Sequence, residues 1–110
     1  MEFEVFLTRD AESDFEEIYR YIATEDSPAK ANHVLDKIEG VIANLVKFPQ
    51  RGSIPRELMR LGMHDYRQVF FKPYRMIYRI IGKRVYIYLI ADGRQDMQTL
   101  LARRLFTAGK

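Results

Sequence analysis

The chain has 110 residues, a formal net charge of +3 and 47% hydrophobic residues, which is the composition of one globular domain spanning residues 1–110. It contains no cysteine and only two histidines, His33 and His64, so the sequence predicts neither a disulfide framework nor a metal site. The acidic start, Met1-Glu2-Phe3-Glu4, differs from a signal peptide and no apolar run approaches the roughly 20 residues that span a bilayer, so we expect a cytoplasmic protein without a membrane partner.

The first 25 residues predict a short strand followed by a helix. Polar and apolar residues alternate over residues 2–7, which is the pattern of a half-buried strand. Thr8 is a suitable N-cap, and the helix that follows should end near Ala23 or Thr24. Its apolar positions recur at helical spacing: Ala11, Phe15, Ile18, Tyr19 and Ile22.

A second helix is predicted to begin at Ser27-Pro28, with serine as the cap and proline at the first helical position. Its apolar stripe consists of Ala31, Val34, Leu35, Ile38, Val41, Ile42 and Leu45. The short polar link between the two helices predicts a helical hairpin. Gly40 costs a helix about 1 kcal/mol relative to alanine, so we expect a close helix crossing at this residue.

The second half of the chain predicts an antiparallel meander. A turn at Phe48-Pro49-Gln50-Arg51-Gly52 and an irregular connection with at most one helical turn precede it. Residues 66–71, 74–81 and 84–90 are rich in β-branched and aromatic side chains and are separated by the two-residue turns Lys72-Pro73 and Gly82-Lys83.

The face of the meander that meets the helices follows from the alternation of the middle strand. Tyr74, Met76, Tyr78 and Ile80 share its less polar face, so the helical hairpin should pack there. Asp96 is a suitable cap for a short C-terminal helix. The predicted fold class is therefore α+β, with an N-terminal strand, a helical hairpin, a three-stranded antiparallel meander and a short C-terminal helix.

Basic residues predominate in residues 41–110, whereas acidic residues predominate in residues 1–40. Four arginines of the meander, Arg67, Arg75, Arg79 and Arg84, could form a row that binds phosphate, or could simply keep an open strand face soluble. Arg94 follows the last strand, where it could clamp a carboxylate or phosphate or pair with a neighbouring aspartate. The sequence leaves these alternatives open.

Catalytic motifs are scarce. His64 is the one candidate general base near the sheet, and the sequence positions no second residue to orient it. The sequence has no glycine-rich phosphate loop, serine nucleophile motif or paired carboxylates.

Several motifs, in their order and spacing, make nearly the whole chain resemble the RelE/ParE toxin superfamily of type II toxin–antitoxin modules. The resemblance implies the fold predicted above. The motifs are Leu7-Thr8 with Ala11 and Asp14, Ile18-Tyr19-Arg20-Tyr21-Ile22-Ala23, Phe48-Pro49 with Gly52, Tyr66-Arg67, Tyr74-Arg75-Met76-Ile77-Tyr78, Gly93-Arg94 with Asp96, and Arg104-Leu105.

The two branches of this superfamily have different targets. RelE-like toxins cut messenger RNA in the ribosome, using basic residues on the sheet and an aromatic or histidine acid–base near the C-terminus, whereas ParE-like toxins inhibit DNA gyrase. Arg67, Arg75 and Arg94 match basic positions of the nuclease branch. The acid–base position, however, falls at Leu100, and a second basic position falls at Gln68 or Val69. This departure favours the ParE-like branch.

The resemblance therefore implies a non-enzymatic, ParE-like gyrase inhibitor that needs no cofactor and forms a hetero-oligomer with a cognate antitoxin. The antitoxin's C-terminal segment would add to a sheet edge or pack into a groove. The candidates for contact with the target are Arg67, Arg75, Arg94, Arg103 and Arg104. Two alternatives stay open: a RelE-like ribosome-dependent mRNA endoribonuclease with Tyr86 or Tyr88 as acid–base, and an inactive antitoxin-binding relative.

Overall fold

The computed structural model describes residues 2–107, and its elements follow the predicted order. A 3₁₀ turn, Asn44–Val46, continues the second helix, and a π-helical turn, Arg103–Thr107, follows the last one. No helix within residues 2–107 is long and apolar enough to cross a membrane. The strands and helices are β1 Glu4–Leu7, α1 Arg9–Glu25, α2 Pro28–Ala43, α3 Arg56–Met59, β2 Tyr66–Phe71, β3 Tyr74–Ile81, β4 Arg84–Asp92 and α4 Met97–Ala102.

Side chains cap both long helices at the predicted residues. The Thr8 hydroxyl accepts a hydrogen bond from the Ala11 amide at 3.2 Å and caps α1. The Ser27 hydroxyl accepts one from the Lys30 amide at 3.1 Å and caps α2. Each bond satisfies an amide that the first turn of a helix leaves without a partner, which explains why the helices begin where they do.

The sheet has four strands in the order β1-β4-β3-β2. The antiparallel meander of β2, β3 and β4 is confirmed, and β1 joins it by parallel pairing with β4. Parallel neighbours need a long crossover between them, which the helices and the first two meander strands supply here.

The helical hairpin packs on the predicted face of the sheet. Apolar side chains of α2 meet the inward residues of the strands, and Tyr74 and Ile80 border this core as the alternation of β3 predicts. Burial of these side chains contributes most of the stability that holds the hairpin on the sheet. The fully buried side chains of this core include Ala31, Ile38, Leu45, Met76, Tyr78, Val85 and Ile87.

A second, smaller core lies on the opposite face of the sheet, where no helix was predicted. Leu58 of α3 and Leu101 of α4 pack against the other side of the sheet. A bulge in β4 shapes this core: Tyr78 pairs with Ile87 while Ile77 pairs with Leu89, so Tyr88 has no partner in β3. The extra residue turns both Tyr88 and Leu89 toward the second core.

The prediction of a close helix crossing at Gly40 is wrong. Gly40 is exposed, and a Cβ atom added to it would meet nothing within 4 Å. Glycine weakens a helix wherever it occurs, whereas a close crossing depends on residues far away in the chain, which explains the error.

Replacing Gly40 with alanine is therefore expected to raise the free energy of unfolding by about 1 kcal/mol, because alanine restricts the unfolded chain and favours the helix. Urea unfolding followed by circular dichroism measures this change. The exposed Lys37→Ala variant of the same helix serves as a control and should change stability little. A loss of stability in the Gly40 variant would contradict the open environment of this residue.

Candidate functional site

Three of the predicted contact residues, Arg75, Arg94 and Arg104, form ion pairs, and Arg94 is the most exposed of the three. Its side chain is 78% exposed, yet Asp92 holds it in a forked arrangement. The Asp92 carboxylate accepts hydrogen bonds from the Arg94 amide and Nε, both at 2.9 Å, and from Nη2 at 2.6 Å. These bonds lower the pKa of Asp92. Of the two neighbouring aspartates, Arg94 therefore pairs with Asp92. Asp96 instead caps α4 by accepting a hydrogen bond from the Thr99 amide at 3.2 Å.

Arg94 lies at the mouth of a groove between α1 and the C-terminal helical segment. The groove has a volume of about 490 Å³. Tyr21, which is 68% exposed, forms part of its outer wall. Burial raises the pKa of the Tyr74 hydroxyl on the sheet side, and Asp92 adds to this effect. The groove thus combines apolar surface with two phenol rings and the exposed, fixed guanidinium of Arg94. Other residues along it are Glu17, Ile18, Ile90 and Leu100.

The floor of this groove contains a tightly bonded ion pair between Asp14 and Arg104. The two guanidinium ends of Arg104 donate to the two carboxylate oxygens of Asp14 at 2.9 and 3.0 Å. The carboxylate also accepts from the Ile90 amide at 2.9 Å, and Arg104 donates to the Tyr88 carbonyl at 2.7 Å. Because β1 pairs with β4 only as far as Ile87, these side chains bond β4 on the edge opposite β3, where no strand lies beside it.

Arg104 is therefore part of the framework as well as a predicted contact residue. Its side chain is only 19% exposed, and its pKa is raised chiefly by the hydrogen bond with Asp14. Sequence reasoning missed this role of Asp14, because helical periodicity places the residue on the polar side of α1 and says nothing about a partner near the C-terminus. The remaining predicted residue of this segment, Arg103, is exposed on the last helical turn.

Arg75 is held on the face of the second core. Its Nη atoms donate to the Glu57 carboxylate at 3.0 and 2.9 Å, and its Nε donates to the Gln68 side chain at 2.8 Å. The Arg75 side chain is 12% exposed. A Cβ added to Gly93 would lie 2.7 Å from Arg75 Cδ, so glycine leaves the space that this arginine occupies.

Arg67 lies on the other face of the sheet. It is paired with Tyr78 of the first core, and its Nη1 donates to the Gly52 and Gln50 carbonyls at 2.8 and 3.3 Å. The proposed row of four arginines is therefore not formed. Arg75, Arg79 and Arg84 share one face, and Arg67 is separated from them by the sheet.

The Glu57–Arg75 pair makes the stability of the protein depend on pH. The hydrogen bond from Arg75 holds the pKa of Glu57 below its ordinary value of 4.5. The contribution of the ionised carboxylate is thus present above the unfolded pKa and is lost as the pH falls through the folded pKa. We expect Glu57→Gln to be less stable than the parent at pH 7, with a difference that shrinks below about pH 5.

Urea unfolding at several pH values between neutral and acidic tests this prediction. Glu12→Gln, at an exposed carboxylate of α1, provides a control for general effects of acid. A difference between Glu57→Gln and the parent that stays constant across this range would contradict the ion-pair account.

Two of the candidate catalytic groups, His64 and Tyr88, lie in different surroundings. His64 is exposed in the loop before β2. Tyr88 packs edge-on against Tyr66 with ring centres 5.6 Å apart, and burial raises its pKa. In the described part of the chain, no group of three or more histidine or acidic side chains could hold a metal ion.

Comparison with known proteins identifies the family. Residues 5–97 match the model of the ParE toxin of type II toxin–antitoxin systems, parDE. Toxin ParE3 of Caulobacter vibrioides is 29% identical over 100 residues, which cover 91% of this chain and 96% of that protein.

Solved structures share the fold. The chromosomal ParDE system from P. aeruginosa includes a chain that superposes with a TM-score of 0.69 at 22% identity, covering 82% of this chain and 95% of its own length. A mutant of E. coli toxin RelE in the free state superposes with a TM-score of 0.67 at 13% identity, covering 96% of this chain and 99% of that one. The family match spans most of the sequence, and the chain therefore belongs to the ParE toxin family of type II toxin–antitoxin systems.

Proposed function

We propose that this protein is a cytoplasmic toxin that inhibits DNA gyrase by binding it, and that a cognate antitoxin neutralises it. Membership of the ParE family supports the proposal. The main support for the proposal is the chemistry of the groove, where Arg94 is exposed and fixed by Asp92. Leu100 lines the same groove and occupies the position of the acid–base in the nuclease branch. Such a site is suited to recognition of a partner surface rather than to proton transfer.

Two further features favour binding over RNA cleavage. A general base works best with a pKa near the operating pH, and burial moves the pKa of Tyr88 upward, away from that range. Arg75 is already engaged by Glu57 and Gln68, so it could reach a phosphate only by breaking these bonds. An RNA-cleaving reaction at this sheet would thus need both a different base and the release of Arg75.

An antitoxin partner is proposed because similar solved structures come from toxin–antitoxin systems. One structural neighbour is the toxin–antitoxin complex RelBE2 from Mycobacterium tuberculosis, which superposes with a TM-score of 0.58 at 20% identity over 84% of this chain and 92% of that one. The groove at Arg94 fits an extended antitoxin segment that places apolar side chains against Tyr21 and Leu100 and a carboxylate on Arg94. An antitoxin bound there would cover the arginine that the target needs.

A supercoiling assay with purified bacterial gyrase tests the proposal. The parent protein should block supercoiling, and Arg94→Ala should require roughly tenfold more protein for the same effect, because a well-placed arginine is a typical anchor of a protein interface. Arg20→Ala, an exposed arginine of α1, is the matched control and should inhibit like the parent.

The assay also separates the alternatives. If a folded parent protein at large excess leaves supercoiling unchanged, the gyrase proposal is wrong, and cleavage of ribosome-bound messenger RNA becomes the next measurement. Failure in both assays together with tight binding to an antitoxin would identify an inactive relative.

A further inference from the structure

The ion pair between Asp92 and Arg94 lies at the surface, where such pairs contribute little to folding. The Arg94 side chain is 78% exposed, and the two residues lie only two positions apart, so the pair joins no distant parts of the fold. The Asp14–Arg104 pair differs, because it connects α1 with the C-terminal segment. A role in holding the Arg94 guanidinium in one orientation therefore accounts for the pair better than a role in stability.

The backbone beneath this pair is fixed by the sheet and by the turn beside it. Asp92 is the last residue of β4 and is paired with Tyr74 of β3. The Gly93 amide donates to the Pro73 carbonyl at 2.7 Å. A Cβ atom on Gly93 would lie only 3.2 Å from the same carbonyl oxygen, so the backbone packs closely against the turn between β2 and β3. The turn that carries Arg94 thus starts from a rigid part of the sheet.

Asp92 holds both the backbone and the side chain of Arg94. The Asp92 carbonyl accepts from the Gln95 amide at 3.1 Å, and Oδ1 of its side chain accepts from the Arg94 amide at 2.9 Å, which closes a tight turn. The same carboxylate accepts from Nε of Arg94 at 2.9 Å and from Nη2 at 2.6 Å. One aspartate therefore fixes the position and the orientation of the arginine together.

The bonds to Asp92 occupy one edge of the guanidinium and leave another edge open. Nε and Nη2 form the occupied edge, whereas Nη1 donates to no atom of residues 2–107. Nη1 and the second hydrogen of Nη2 form a further flat pair of donors. Arg94 lines the groove together with Tyr21 and Tyr74, so this pair of donors is presented beside two phenol rings.

We propose that Asp92 is a positioning residue for Arg94, which holds the guanidinium in place before the target arrives, so that the open edge meets acceptor oxygens of gyrase. The inference rests on the proposed function, in which Arg94 contacts the target. An unrestrained arginine loses rotational freedom when it binds, whereas a held arginine has already lost it. Because the pair has no net charge, the contact depends on the direction of the donors more than on long-range attraction.

Two substitutions of Asp92 separate orientation from charge and from the shape of the turn. Asp92→Asn keeps an oxygen that can accept from the Arg94 amide but removes the charged acceptor of the guanidinium. Asp92→Glu keeps the charge on a longer side chain that does not fit the tight turn. We expect each variant to need about threefold to tenfold more protein than the parent to inhibit supercoiling, because immobilising one long side chain opposes binding by such a factor.

The direction of these changes decides between three roles of Asp92. If Arg94 acted through its charge alone, Asp92→Asn would inhibit more strongly than the parent, since a neighbouring negative charge is removed. If Asp92 only shaped the turn, Asp92→Asn would inhibit like the parent. Either result, for a variant that circular dichroism shows to be folded, would overturn the inference.

Combination with Arg94→Ala shows whether Asp92 acts through the arginine. In that background Asp92→Asn should have no further effect on inhibition. Asp26→Asn, at an exposed aspartate that lies 3.8 Å from Lys30, makes the same charge change elsewhere and should inhibit like the parent. An effect of Asp92→Asn that persists without the Arg94 side chain would contradict the inference.

Nuclear magnetic resonance relaxation of the arginine Nε–H groups measures the orientation without any partner. Arg94 should be ordered in the parent and mobile in both Asp92 variants, while the exposed Arg20 should be mobile in all of them. Equal mobility of Arg94 and Arg20 in the parent would overturn the inference and leave the proposed function standing. If the folded parent does not inhibit gyrase at large excess, the proposed function is wrong and the positioning role falls with it.

Discussion

Replacing Asp14 with alanine is expected to lower the free energy of unfolding by about 3 kcal/mol. The carboxylate bonds to Arg104 and to the Ile90 amide, and its side chain is only 13% exposed. Its removal leaves a largely buried guanidinium without its main partner and a strand amide without an acceptor. Arg104→Ala is expected to destabilise the protein for the complementary reason, since the carboxylate would lose its counter-ion.

Urea unfolding of the two single variants and the double variant measures this coupling. The double variant should be less destabilised than the sum of the single changes, because removing both partners leaves no isolated charge. Glu16→Ala, at an exposed carboxylate of the same helix, should have little effect. Strict additivity of the two single changes would show that the pair does not act as a unit.

Gly52→Ala is expected to cost about 3 kcal/mol by forcing atoms into an occupied space. A Cβ at this position would lie 2.5 Å from the Gln68 carbonyl oxygen and 2.6 Å from the Tyr78 hydroxyl. Neither neighbour can move freely. The Ser53 amide donates to the same Gln68 carbonyl at 3.2 Å, and the Tyr78 hydroxyl donates to the Pro49 carbonyl at 2.6 Å and accepts from the Gly52 amide at 3.1 Å.

Thermal unfolding of Gly52→Ala and Tyr78→Phe tests this arrangement. Tyr78→Phe removes the hydroxyl that orders the turn and should cost about 1 to 2 kcal/mol, less than the glycine variant. Gly40→Ala is a suitable control because the surroundings of Gly40 are open. Gly62→Ala is not suitable, because Gly62 has a φ of +76° that strains any other residue. Parent-like stability of Gly52→Ala would mean that the turn relaxes freely.

Local sequence signals predicted most of the elements because they act over a few residues. Thr8, Ser27 and Asp96 are caps whose bonds reach only three residues ahead, and the two-residue turns of the meander leave one simple way to pair its strands. The fold class followed from these signals together with the alternation of β3.

The parts that escaped prediction depend on residues far apart in the chain. Arg104 meets Asp14 across 90 positions, and Arg75 meets Glu57 across 18, so no pattern of spacing reveals either bond. The bulge at Tyr88 has a similar origin. The alternation of polar and apolar residues in a strand does not reveal a bulge. The pairing with β3 shows that Tyr88 is the extra residue, and Tyr88 and Leu89 both pack in the second core.

The early end of β1 has a consequence for how chains associate with one another. Beyond Ile87, one edge of β4 has no neighbouring strand, and an edge of this kind normally invites pairing with another molecule. Here a carboxylate and a guanidinium already take the Ile90 amide and the Tyr88 carbonyl. A strand from another molecule would have to displace both side chains to pair here, so this segment of β4 is protected against edge-to-edge aggregation.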